Sequence, residues 1–116
     1  LFVCDITISP PNINVDLVYT HAVIMYIQRN KRHLSALRNM FHASKKYIVL
    51  MENWSRHNFY EDVMKISKEP DFPWKSIYLY VNDGGNQILM VISNIVLEGY
   101  KELHSNKELL KYIKNT

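Results

Sequence analysis

The chain has 116 residues, of which 47% are apolar and 22% charged, with a formal charge of +3. That length supplies a single domain with one core, and the balance of apolar to charged side chains excludes a disordered polyelectrolyte. The basic side chains are dispersed (Lys31-Arg32, Lys45-Lys46, Lys111, Lys114), so no nucleic-acid partner is indicated.

Residues 1–6, Leu1-Phe2-Val3-Cys4-Asp5-Ile6, read as a buried strand ending at Asp5-Ile6. The chain opens inside this apolar run, and it is read as a piece of a longer protein. Cys4 is the single cysteine. It permits no internal disulfide or thiolate cluster and is expected to be a buried, inert thiol. No basic-then-apolar leader opens the chain, which makes the cytoplasm the default location. No apolar run reaches the roughly 20 residues that cross a bilayer, so no membrane partner is expected.

Pro10-Pro11-Asn12 forces an extended loop, since neither proline can donate to a ladder. Residues 17–20 form the second expected strand. Asn30 is the expected cap of a helix that carries Leu34, Leu37, Met40 and Phe41 on one face. Lys31, Arg32, Arg38 and Asn39 fall largely on the other side, and Lys45-Lys46 lie beyond the C-terminal end, where the helix dipole favours positive charge. Residues 47–51, Tyr47-Ile48-Val49-Leu50-Met51, are a continuous apolar run that suits a central strand covered on both faces.

A second helix is expected over residues 59–66, stopped by Pro70 and Pro73. Residues 77–81 and 88–92 flank Asn82-Asp83-Gly84-Gly85-Asn86, a strong hairpin signal. A last helix carries Tyr100, Leu103, Leu109, Leu110 and Ile113, interrupted near Ser105-Asn106. Residues 1–116 therefore form a single α/β domain of parallel strands with helices and a C-terminal antiparallel hairpin.

Asp5-Ile6, then Asp16-Leu17-Val18-Tyr19-Thr20-His21, then a helix and a strand ending in Glu52-Asn53-Trp54, resemble the C-terminal part of a class I S-adenosylmethionine-dependent methyltransferase. The resemblance runs from the family's third strand onward, to about Asn94, and implies a partial Rossmann-like sheet. It places Asp5 and Ile6 at the adenine of the cofactor, Thr20 and His21 at its methionine end, and Glu52, Asn53 and Trp54 on the side of the methyl acceptor. The implied reaction moves a methyl group from S-adenosylmethionine to a small or glycan-type acceptor. Because the sulfonium already activates the methyl, the protein chiefly aligns the reactants, and a base is optional.

The family's glycine-rich loop after its first strand has no counterpart here. The three glycines are Gly84, Gly85 and Gly99, none of which follows a strand and opens a helix. An acidic residue ending a second strand is missing as well. A complete cofactor pocket is therefore not expected from these residues alone. The alternative is a non-catalytic, methyltransferase-like module that pairs with another chain or with itself through an exposed sheet edge.

Residue by residue, ordinary readings stand beside the functional ones. His21 follows a strand end, where such sheets place ligands; it is either a positioning group or general base, or a turn histidine bonded to backbone. Thr20 reads more readily as a turn or cap residue. Glu52 and Asn53 are candidates for base and orienting amide, whereas Trp54 fits core packing better than an acceptor wall. Arg56 is a candidate for an anionic acceptor against the plainer reading of a solvated loop. The five histidines show no paired helical spacing and no accompanying cysteines, so no metal is expected. His33 and His42 are expected on the surface.

Overall fold

The computed structural model describes residues 5–27, 31–82 and 88–109. The elements are β1 (Val15–His21), a 3-10 turn (Ile24–Tyr26), α1 (Arg32–Ala43), β2 (Ser44–Glu52), α2 (Phe59–Ser67), β3 (Tyr78–Asn82), β4 (Ile88–Ser93) and the short α3 (Asn106–Leu109). The four strands make one mixed sheet in the order β1-β2-β4-β3. β1 and β2 are parallel, and β4 is antiparallel to both β2 and β3. β3 therefore runs the same way as β1 and β2, with the last strand inserted in reverse between β2 and β3.

Among the described residues, no helix is long and apolar enough to cross a membrane. The hairpin forms at the expected place, and its turn (residues 83–87) lies outside the described residues, as do residues 1–4 and the expected cap Asn30.

α1 follows the apolar spacing of its sequence, burying Leu34, Leu37, Met40 and Phe41 with Ala36 and Ala43. Lys31 stands at its N-cap in the left-handed region, φ 56°, with no side-chain cap. The helix runs into β2 without a loop, and the register of β1 against β2 slips between Val15 and Leu17. The backbone of that irregularity is satisfied locally. Ser44 Oγ donates to the Tyr47 carbonyl at 2.6 Å, Trp74 Nε1 donates to the Ser44 carbonyl at 3.1 Å, and Asn94 Nδ2 donates to the Lys45 carbonyl at 2.6 Å.

α2 is capped by Asn58, whose Oδ1 accepts from the Glu61 amide at 3.1 Å, and Glu61 and Asp62 in its first turn complement the dipole. The core lies between one face of the sheet and these two helices. There Phe41 meets Phe72 and Trp74 edge-on, with centroids 4.9 and 4.8 Å apart.

Four expectations need correction. β2 is interior but covered on one face only: Ile48, Leu50 and Glu52 are buried while Met51 is exposed. α1 and α2 pack on the same side, so the other face keeps Leu17, Tyr19 and Met51 in solvent. Asp5-Ile6 do not end a strand within the described residues; residues 6–8 form a turn. Tyr100 and Leu103 are not helical. Residues beyond Gly99 (φ 83°) run along β3, with a bridge between Tyr80 and Glu102 and the Leu103 amide donating to the Leu79 carbonyl at 2.6 Å. An unpaired strand edge outcompetes the weak helical stripe there. Finally, His42 is exposed as expected, but His33 is half-buried.

Candidate functional site

β1 and β2 end side by side. Thr20 pairs with Leu50 and His21 with Met51, and the Ala22 amide continues the ladder to the Met51 carbonyl at 2.9 Å. Ala22 then takes φ 54°, turning the chain sharply into the 3-10 turn. The two loops that leave this edge are bound to each other. The Glu52 carboxylate, fully buried, accepts from the Val23 amide with both oxygens, at 2.9 and 3.0 Å, and from the Ile24 amide. Thr20 Oγ1 stands 3.5 Å from the same carboxylate. Glu52 thereby supplies the acceptors that the first amides of the 3-10 turn lack.

Asn53 extends the junction. Its amide meets Met25 Sδ at 3.4 Å, and its Oδ1 accepts from the Ser55 amide at 2.9 Å, closing a local turn. Trp54 is buried and meets Phe59 edge-on at 5.2 Å. Arg56 lies over the Tyr26 ring, 5.8 Å from its centroid, so the guanidinium links the two loops as a cation on an aromatic face. The structure thus brings Thr20, His21, Glu52, Asn53 and Trp54 to one edge, with His21 exposed at its mouth. Asp5 and Ile6 are held elsewhere. Asp5 Oδ1 accepts from the Thr7 amide at 3.0 Å and from the Thr7 hydroxyl at 2.6 Å, bonds that hold its carboxyl below the usual range. The Ile6 carbonyl accepts from Asn39 Nδ2 of α1 at 2.6 Å.

A second group of side chains gathers where α1 and α2 begin. His33 and His57 stack with centroids 3.9 Å apart and rings 14° from parallel, and His33 Nε2 lies 3.2 Å from Asp62 Oδ2. His57 Nε2 donates to the Ile27 carbonyl at 2.9 Å, because a carbonyl can only accept. Burial lowers the pKa of His33 against the opposing pull of Asp62, and burial raises that of Asp62 against the pull of His33 and His57. Sequence reasoning misses this cluster because its members stand on different elements, and a search for paired spacing within one helix does not connect them.

Comparison with protein-family models, with curated proteins and with solved structures finds no match to this chain.

Proposed function

We propose that the chain forms the acceptor-side part of a Rossmann-like fold for S-adenosylmethionine-dependent methyl transfer. The observation that carries this reading is the sheet. Parallel β1 and β2 end together at Thr20-His21 and Glu52-Asn53, and a terminal antiparallel pair finishes the order β1-β2-β4-β3. Open α/β sheets bind ligands outside the carboxyl ends of their parallel strands.

The side chains fit part of such a cofactor. Thr20 and His21 lie at that edge and would face its methionine end. Asp5 is turned onto Thr7 and would have to release it to reach an adenine. When bound, the cofactor supplies a methyl group on a sulfonium. On this reading the chain orients the acceptor between His21 and Asn53, while Glu52, already filled by Val23 and Ile24 amides, fixes the loop and does not act as a base.

Calorimetric titration of the chain with S-adenosylhomocysteine tests the proposal. The expected result is weak but saturable binding, because the glycine-rich loop is missing, and it is weakened further by His21→Ala and by Asp5→Ala. A folded chain that does not bind, or that binds equally well with both substitutions, overturns it.

A specific observation favours a second, non-catalytic reading. Among the described residues β1 pairs only with β2, and its open face carries Leu17 and Tyr19 in solvent, 47% and 66% exposed. An unpaired strand edge of this kind is a template for pairing with another chain.

A further inference from the structure

We propose that His33, His57 and Asp62 form a binding site for a divalent transition-metal ion of the Zn2+ class, at the junction of α1 and α2. Each offers one ligand atom, and the three atoms lie within 4.8 Å of one another. Two imidazoles and one carboxylate are a donor set suited to Zn2+ and its neighbours, and poorly suited to Mg2+ or Ca2+, which take oxygen.

Two features prepare this group for a cation. The Ile27 carbonyl fixes the proton of His57 on Nε2, leaving the Nδ1 lone pair for a metal. Histidine ligands are commonly held in this way, with the second ring nitrogen donating to a backbone carbonyl. His33 Nδ1 and Asp62 Oδ2 are buried, and neither has a hydrogen-bond partner. The 3.2 Å approach of Asp62 Oδ2 to His33 Nε2 has ion-pair distance but not hydrogen-bond alignment. Leaving such atoms unpaired is costly, and a cation held by Asp62 gives its Oδ2 a partner.

Donor atoms around a tetrahedral Zn2+ stand about 3.3–3.5 Å apart, given bonds of about 2.0–2.1 Å. The ligands must therefore close by up to about 1.4 Å, and the stacked rings, 14° from parallel, must turn out of the stack, because an imidazole binds a metal in its own ring plane. With three protein ligands, the remaining position is open to water or to an acceptor oxygen. The site lies beside the loops that follow β1 and β2, but it does not depend on the methyl-transfer reading.

The test is calorimetric titration of the chain with Zn2+, using Mg2+ as the counter-probe, followed by the visible spectrum of the Co2+ form. One Zn2+ per chain with micromolar or tighter affinity is expected, together with Co2+ bands of nitrogen and oxygen ligation and no sulfur charge-transfer band from Cys4. His57→Gln and Asp62→Asn should each weaken Zn2+ by at least the ~10–100-fold typical of losing a supporting residue. His42→Gln and His104→Gln, at exposed positions, should leave affinity unchanged. Circular dichroism of each variant separates lost ligation from lost folding. Absence of Zn2+ binding by the unsubstituted chain overturns the proposal whatever the variants do. So does binding that survives both ligand substitutions, or binding abolished by the exposed-histidine changes.

Discussion

A carboxylate with no exposed surface needs donors, and Glu52 finds them in the backbone of the turn that follows β1. Hydrogen bonds to a charged acceptor are stronger than neutral ones, and their loss leaves buried amides unsatisfied. Glu52→Ala should therefore cost about 2–4 kcal/mol in urea unfolding. Glu52→Gln, which retains one acceptor oxygen, should cost about half as much. A loss below about 0.5 kcal/mol for the alanine variant would show that the turn holds without the carboxylate.

The Arg38–Glu69 pair is a different case. Arg38 Nε and Nη2 grip the Glu69 carboxylate at 2.7–3.0 Å, but both side chains remain about one-third exposed. The hydrogen bond to Arg38 lowers the Glu69 pKa. The resulting stability is present above the ordinary glutamate value, about 4.3, and is lost as pH falls through the lower folded value. Solvent limits it to about 1 kcal/mol or less. Glu69→Gln should lose that amount at neutral pH and show a flatter acid limb in chemical unfolding; an unchanged limb would sink the assignment. Glu52 lies at the strand end that the sequence indicates. Its bonding was not legible, because backbone amides leave no signature in the sequence.

At the scale of elements, the amphipathic spacing of α1 was sufficient to find the helix and its buried face. Phe41 is the firmest point of that face, fully buried and edge-on to Phe72 and Trp74. Phe41→Ala should cost about 3–5 kcal/mol, measured as a lower urea midpoint with an unchanged slope. The hairpin was equally legible, because a Gly-Gly turn between two apolar runs admits few alternatives.

The misreadings have a common cause. Spacing alone places Tyr100 and Leu103 in a helix, but Leu103 is claimed by the carbonyl of Leu79, a tertiary partner that spacing does not reveal. Gly99 makes that path available. Its φ of 83° belongs to the left-handed region, and a Cβ added there meets nothing within 4 Å. Gly99→Ala should therefore cost only the backbone preference, about 1–2 kcal/mol, without disturbing the packing of Tyr80 against Tyr100. A larger loss would mean that residues 99–103 contribute more than an edge contact.

The described residues make a two-layer fold whose second sheet face is open near β1 and β2, and the topology explains why. β1 connects to parallel β2, and β2 connects to β3, two positions further in the same direction across the sheet. Crossovers between parallel strands keep one hand, so successive crossovers in one direction place their helices on one side. The continuous apolar run of β2 misled on this point, because it implies burial on two faces while α1 and α2 cover only one.

The other face is apolar without being covered near β1 and β2. Leu17 and Tyr19 stand in register with Tyr47 and Val49, and Met51 is exposed beside His21. Toward β3 the same face is partly closed by Tyr100, whose ring lies 5.7 Å from that of Tyr80, and by the Leu97 amide donating to the Tyr80 hydroxyl. An exposed apolar patch of this kind should bind a hydrophobic dye on the folded chain. The double substitution Leu17→Lys, Tyr19→Lys should lower dye fluorescence while leaving the unfolding free energy within about 0.5 kcal/mol, as expected for surface changes. Undiminished fluorescence would locate the patch elsewhere. A marked loss of stability would show that these two side chains are packed against part of the protein, and the sheet would then be closed on both faces, as the sequence of β2 implies.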